Sequence, residues 1–314
     1  MTNLEYKDIK LIPQKSILKS RADANVTATL GKHTFAVPIV AANMKSILTP
    51  EICFRFDQRN WFYVQERMSN IQFVRDFTLY AQDKFNVVSI SVGITEEWLD
   101  LLKHFKQENY RLDYITIDIA YSHTDSILPV VRFIKDNFPQ TYLIVGNGMT
   151  PEWIEWLESY GVDCAKTGVA NGSVCSTYHT TGFKSDVSDL ASCIKAAKTV
   201  DIIADGGFSM DNRTGIVCVG DFVKALVLGS QFCMSGSLFS RCVDSPAILN
   251  GYAGNASAEV KGGKKHVEGV SLQVQTNGLT IDEMMDLVED SLKSAVSYAG
   301  GRDLTCLSNL SWET

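Results

Sequence analysis

The stretch YITIDIAYSHTDSILPVVRFIKDNFPQTYLIVGNG, residues 114–148, decides the fold. It opens on the β-branched run YITIDIA (114–120) and closes on TYLIVGNG (141–148). Between them TDSILPVVRFIKDNF (124–138) carries the mixed apolar and charged spacing of an amphipathic helix. Strand, helix and strand in so short a span predict one unit of a parallel sheet.

Outward from that unit the rhythm repeats. Further apolar runs are PIVAANM (38–44), WFYVQE (61–66), NVVSISVG (86–93), DCAKTGV (163–169), DIIADGG (201–207) and SQFCMSG (230–236), which makes eight candidate strands. Helix-like segments such as TEEWLDLLKHFKQ (95–107) and TPEWIEWLESY (150–160) lie between them. The last opens on Thr150 as N-cap with Pro151 in the first turn, and Glu152 and Glu155 suit its positive end. Eight such units predict an α/β fold, a (β/α)8 TIM barrel. An open doubly wound sheet would want G-x-G-x-x-G after the first strand, where AANMKS (41–46) stands instead. The expected organisation is a single catalytic domain over 1–314, with an N-terminal arm (1–37) and a mobile flap after strand eight (about 250–280).

Composition narrows the function. The net charge of −7 disfavours a broad nucleic-acid surface, which needs a basic stripe. No window reaches the roughly 18 apolar residues of a membrane helix, and MTNLEYKDIK (1–10) lacks a signal-peptide core. Eight scattered cysteines without C-x-x-C spacing read as reduced thiols of a cytoplasmic protein.

In a TIM barrel the chemistry sits at the C-terminal strand ends. Those ends hold Asn43, Met44, Glu66, Arg67, Asp118, Asn147, the loop 168–182, Asp205-Gly206-Gly207 and Gly236-Ser237. Strands seven and eight both end in glycines, where barrels bind phosphate on backbone amides, so a mononucleotide or sugar phosphate is the expected ligand class. The loop GVANGSVCSTYHTTG (168–182) is too long for a plain connection. It places Cys175 off any regular element, whereas Cys164 and Cys233 lie on strands as core filler. Thr177 offers a hydroxyl that could relay a proton.

The motifs GSVCST (172–177), IIADGG (202–207) and MSGSLF (234–239) together resemble the IMP dehydrogenase/GMP reductase family. AANM (41–44), ITIDIA (115–120), KTGV (166–169) and VSYAGGRDL (296–304) fall at the matching barrel positions, and the likeness to the short bacterial reductases runs from about Tyr6 to Leu304. Two features favour the reductase branch over the dehydrogenases. Between strands two and three there is no room for a CBS pair. Residues 250–280 contain no arginine, so the dehydrogenase Arg-Tyr pair is missing, while Glu268 matches the reductase flap glutamate.

The resemblance implies NADPH-dependent reductive deamination of GMP to IMP with release of ammonia. Cys175 would be the nucleophile that forms a thioimidate, and Thr177 with Glu268 would protonate the leaving amine. Ribose and phosphate would be held by Ser173, Asp205, Gly206, Gly207, Gly236 and Ser237. The purine edge would meet Gly254, Asn255 and Ala256, helped by Lys265, His266, Val267 and Gly269; the basic run KGGKKH (261–266) thus reads equally as part of that site or as a solvated loop. NADPH would touch Arg67, Asp118, Ile119, Ala120, Val169 and Ala170. Ser20, Arg21 and the segment Ser294, Ala295, Val296, Ser297 would reach the cofactor of a neighbouring subunit in a homotetramer. A potassium ion would sit on the carbonyls of Ala170, Gly172 and Cys175.

The chain departs from the family where Gly-Pro-Gly usually precedes the serine. Ala170-Asn171-Gly172 stands there, and of these Asn171 tolerates a left-handed backbone more easily than Ala170. Departures at Asn255 and Ala256 leave open another purine nucleotide, a deoxy or modified one, or IMP dehydrogenation. A nucleotide-binding scaffold without catalysis has no need of Cys175, Thr177 and Glu268 together.

Overall fold

The computed structural model describes residues 4–314 apart from 212 and 264. The first three residues of the expected arm and Lys264 of the basic run lie outside the described residues. The expected barrel is present. Its strands are β1 (Ile39–Ala41), β2 (62–65), β3 (Ser89–Val92), β4 (Tyr114–Asp118), β5 (Tyr142–Gly148), β6 (Cys164–Thr167), β7 (Asp201–Asp205) and β8 (Phe232–Ser235). Seven pair in parallel in the order β1-β8-β7-β6-β5-β4-β3. The short β2 closes the ring through parallel bridges from Val40 to Phe62 and from Gln65 to Ile90.

Each strand is followed by a helix: α1 (Pro50–Gln58), α2 (Ile71–Lys84), α3 (Glu96–Gln107), α4 (Leu128–Asn137), α5 (Pro151–Ser159), α6 (Val187–Ala196), α7 (Val219–Leu228) and α8 (Ile281–Tyr298). Their starts follow the local chemistry. Thr49, Asn70, Thr150, Asp186 and Thr280 all accept a backbone N–H of the first turn, and Thr150 receives that of Trp153 at 3.3 Å. Among the described residues no helix is long and apolar enough to cross a membrane.

The strands read as continuous apolar runs because both faces are buried. Their outward residues, such as Ile90, Ile115, Val145 and Ala165, pack with the helices. Their inward residues form a second cluster of Val40, Phe62, Tyr114, Ile144, Cys164, Ile203 and Phe232. Leu30 and Phe35 join this cluster from a hairpin, Ala28–Leu30 with His33–Phe35, which caps the N-terminal end of the barrel. The expected N-terminal arm thus contains a folded plug.

Two strand positions above the plug, the same inward face turns polar. Register places Asp118 beside Gly146 and Gly146 beside Lys166, with Asp205 two residues beyond Ile203, the β7 partner of Lys166. The period of two along a strand therefore separates an apolar floor from a charged ceiling.

Candidate active site

The loop after β6 and the flap after β8 meet over the C-terminal rim. Val270 donates its N–H to the Val174 carbonyl at 2.9 Å, and Ser176 donates to the Glu268 carbonyl at 2.8 Å. Residues Cys175 and Gly269 thus pair as a single antiparallel bridge. This pairing carries Glu268 to the cysteine across a wide gap in sequence. The Cys175 thiol donates to Thr177 Oγ1 at 3.1 Å, and that hydroxyl donates to Glu268 Oε2 at 2.8 Å. Cys175 is partly exposed. By contrast Cys53, Cys164 and Cys233 are fully buried, and burial pushes each thiol well above its usual value. All eight cysteines are free.

The flap is tied at its root as well. Ser46 Oγ donates to the Ala253 carbonyl at 2.9 Å, and Asn255 Nδ2 donates to the Asn43 carbonyl at 3.0 Å. Gly254 lies on the Val174 carbonyl, where a side chain would stand 2.7 Å from the oxygen. Ala256 accepts the Glu268 N–H at 3.1 Å, and Lys261 Nζ donates to the His266 carbonyl at 2.7 Å. Lys265 and His266 are exposed, and Val267 is partly exposed. Asn255, Ala256 and Gly269 therefore share one small sheet-like patch with the loop after β6, while the basic tip extends outward.

At the glycine ends of β7 and β8 the amides divide into two groups. Gly206 donates to the Met234 carbonyl at 3.1 Å and Gly207 to the Asn171 carbonyl at 3.2 Å, so these two N–H groups are engaged internally. Donor capacity for an anion rests instead on Gly236, Ser237 and neighbouring hydroxyls. Tyr252 supplies one. Its phenol stands where a Gly236 side chain would be, 2.6 Å from that point, and lies beside the Ser173 hydroxyl. Burial keeps it protonated, and hence a donor, far above neutral pH, although the Ser173 contact opposes the shift.

A second constellation lies beneath. Lys166 is buried on β6, with its ammonium 2.8 Å from Asp205 Oδ2 and 3.3 Å from Asp118 Oδ1. Asn147 bridges the same groups, accepting from Lys166 and donating to Asp205 Oδ2 at 2.7 Å. Burial opposes the charge on Lys166, but Asp205 and Asp118 outweigh it and hold its ammonium above the usual lysine value. Arg67 grips the Asp118 carbonyl through Nε at 2.9 Å and Nη2 at 2.5 Å and lies 5.9 Å from the Trp98 ring. Buried Glu66 fixes this loop by accepting the N–H groups of Met68 and Ser69. Ile119 pairs with the Gly146 carbonyl at 2.9 Å, and Ala120 faces solvent at the rim.

The sequence model of the IMP dehydrogenase / GMP reductase domain matches residues 3–312. The chain belongs to the IMP dehydrogenase/GMP reductase family. It is similar to the protein named GMP reductase of Bacillus anthracis, with 38% identity covering 96% of this chain and 92% of that one. GMP reductase of Oceanobacillus iheyensis is 37% identical over 98% of this chain and 94% of its own, and so is that of Enterococcus faecalis.

Against the family's site, other expected residues fall into separate places. Val169 is buried and clamped to Ser185, whose hydroxyl accepts its N–H at 2.8 Å. Ala170 has φ +60°, so the left-handed position of the family loop falls on the alanine and not on Asn171. Asn171 is held by its side chain against Ser185 and by its carbonyl on Gly207. Gly172 accepts the Cys175 N–H at 2.9 Å, while no hydrogen bond ends on the carbonyls of Ala170 or Cys175 among the described residues. Ser20, Arg21 and the end of α8 lie together elsewhere: Arg21 donates to Ser294 Oγ at 3.2 Å, and Ser16 and Ser297 hydroxyls are 2.9 Å apart. Ala295 packs against the core, and Val296 is fully buried in it, so only the flanking serines of that segment offer side chains outward. Sequence reasoning did not single out Lys166 and Tyr252 as site residues. The KTGV run (166–169) held the only signal for the lysine, a charge inside an otherwise apolar strand.

Proposed function

We propose that the protein is an NADPH-dependent GMP reductase, converting GMP to IMP through a thioimidate on Cys175. One observation carries this reading: the Cys175–Thr177–Glu268 relay, in which a 3.1 Å bond within the loop after β6 leads to a 2.8 Å bond from that loop to the flap. A thiol aimed at purine C2 needs a proton source for the departing amine, and a hydroxyl backed by a carboxylate supplies one. The Cys175 sulfur bonds to C2, and the C2–N bond breaks as Thr177 and Glu268 pass a proton to the amine, which leaves as ammonia. Return of the sulfur as thiolate would then need a hydride at C2 as the C2–S bond breaks, and NADPH, when bound, would supply it. The sum is GMP, NADPH and one proton giving IMP, ammonia and NADP+.

The remaining roles follow the same placement. Asp205 Oδ1 has no protein partner among the described residues and would take the ribose hydroxyls. Ser173, Tyr252, Gly236 and Ser237 would donate to the phosphate, with Gly206 and Gly207 shaping the turn beneath it. Asn255, Ala256 and the flap residues up to Gly269 would meet the base. The donor set at the rim fits NADPH: Arg67 Nη1 is unused by protein among the described residues and, with Asp118 to Ala120, would hold the cofactor. Bare carbonyls at Ala170 and Cys175 fit a potassium ion shared with Gly172. Ser20, Arg21, Ser294 and Ser297 would serve a neighbouring subunit of a cytoplasmic homotetramer whose protomers are single catalytic domains.

The test is a panel of GMP, dGMP and IMP with NADPH or NADH, with and without potassium. GMP with NADPH should consume absorbance at 340 nm and release one ammonia per cofactor. No turnover of GMP by folded protein would overturn the reading.

A further inference from the structure

The catalytic relay stands above a buried charged layer that takes no part in it. Lys166 is the cation at the centre of that layer. It contacts one carboxylate from β4 and another from β7, and these lie on opposite sides of β5 and β6. The reach depends on Gly146. This residue lies between Asp118 and Lys166 in register, and a side chain there would stand 2.7 Å from Lys166 Cβ and 3.0 Å from Cε. Glycine thus clears the channel through which the lysine extends. Asn147 closes the circuit by donating to Asp205 and to the Gly168 carbonyl, both at 2.7 Å.

From these contacts we infer that Lys166 is a positioning residue that couples the two halves of the site, setting Asp205 for the nucleotide and Asp118 for the cofactor with one ammonium. The inference rests on the assignment of those two aspartates to GMP and NADPH. The charged groups facing Lys166 are Asp118 on β4 and Asp205 on β7, with Arg67 behind Asp118; Asn147 on β5 is neutral. With Arg67 counted, two cations balance two carboxylates. Without the lysine one negative charge is unbalanced in a largely buried layer, and each aspartate loses the contact that fixes its rotamer.

The experiment is steady-state kinetics of the full chain for Lys166→Met and Lys166→Arg. Active sites are counted by covalent trapping of Cys175 with a 6-chloropurine nucleotide. Lys166→Met should keep a trappable thiol, raise KM for GMP and for NADPH together, and lower kcat/KM by about 10²-fold, the scale of a small misplacement of reacting groups. Lys166→Arg, which keeps the charge, should recover most of both KM values. A merely structural lysine would instead lower Tm and leave both KM values in place per trapped site, which overturns the inference. If Lys166→Met does not fold, Gly146→Ala decides: displacing the lysine with its charge kept should raise both KM values, and unchanged values overturn the coupling. Absence of GMP turnover in the unmodified protein would instead remove the functional reading beneath it.

Discussion

The two ends of this barrel draw on the inward face of the same sheet and do opposite work. At the N-terminal end Phe35, Phe62, Tyr114 and Phe232 interlock, with Phe62 4.8 Å from Tyr114 and Phe35 edge-on to Phe232 at 5.9 Å. The Tyr114 hydroxyl is satisfied by the Leu30 carbonyl at 2.6 Å. At the C-terminal end the layer holds Asp118, Asn147, Lys166 and Asp205, bound by charge and hydrogen bonds. The change takes two residues on β6, from Cys164 in the apolar plug to Lys166 in the charged layer. A plug gains from any well-packed apolar contact. A charged layer is stable only while every member keeps its partner. Apolar packing and charge are thus separated along β6, and substitutions at the two ends should fail in different ways.

The sharpest break comes at the rim. Cys175→Ala should lower turnover of GMP by at least about 10³-fold, because the covalent step is lost and not merely slowed. The thiol is partly exposed and Cys175 belongs to neither apolar cluster among the described residues, so Tm should stay within about 1 °C of the unmodified protein, as for a surface substitution. Stopped-flow and thermal unfolding on one preparation would check both halves. Retained turnover would remove Cys175 as nucleophile, and a large fall in Tm would erase the proposed division between the ends.

The plug should show the reverse. Phe62→Ala empties a fully buried position ringed by three aromatic partners and should cost about 3–5 kcal/mol. The same variant should keep its KM values and its rate per trapped active site below its melting temperature. Denaturant unfolding supplies the first quantity and titrated kinetics the second. A change in KM without a loss of stability would mean that the floor and the ceiling are mechanically joined.

The floor's strands are easier to read from the sequence than the ceiling's contacts. Runs such as YITIDIA (114–120) and TYLIVGNG (141–148) are apolar on both faces because helices cover one and the plug fills the other, so each strand is visible alone. Helix starts are equally local, as Thr150 shows. Cys175, Thr177 and Glu268 emerge through family motifs, since nothing in a loop glutamate predicts that two backbone pairings will carry it to a thiol. Lys166 and Tyr252 escape because their meaning is relational. A lysine near a strand end usually reaches solvent; strand alternation turns this one inward, and the gap at Gly146 gives it room to extend. A tyrosine in a flap reads as loop surface until its hydroxyl is found over Gly236.

The smallest effect tests the entrance to the loop after β6, where the local rule and the structure disagree. Alanine prefers to avoid φ +60°, yet Ala170 adopts it while Asn171, the more tolerant residue, does not. The neighbours explain the choice. Val169 is clamped to Ser185 on one side, and Asn171 is held by Ser185 and Gly207 on the other, so the reversal falls on the residue between them. A left-handed non-glycine residue costs about 1–2 kcal/mol. Glycine would remove that cost but adds about 0.5–1 kcal/mol of unfolded-chain freedom. Ala170→Gly should therefore stabilise the fold by about 0.5–1 kcal/mol, a rise in Tm of about 2 °C for a chain of this size. Thermal unfolding with and without potassium would check it. A loss of stability would show that the methyl group of Ala170 makes packing contacts worth more than the strain, and that the rim, like the floor, is held in part by apolar contact.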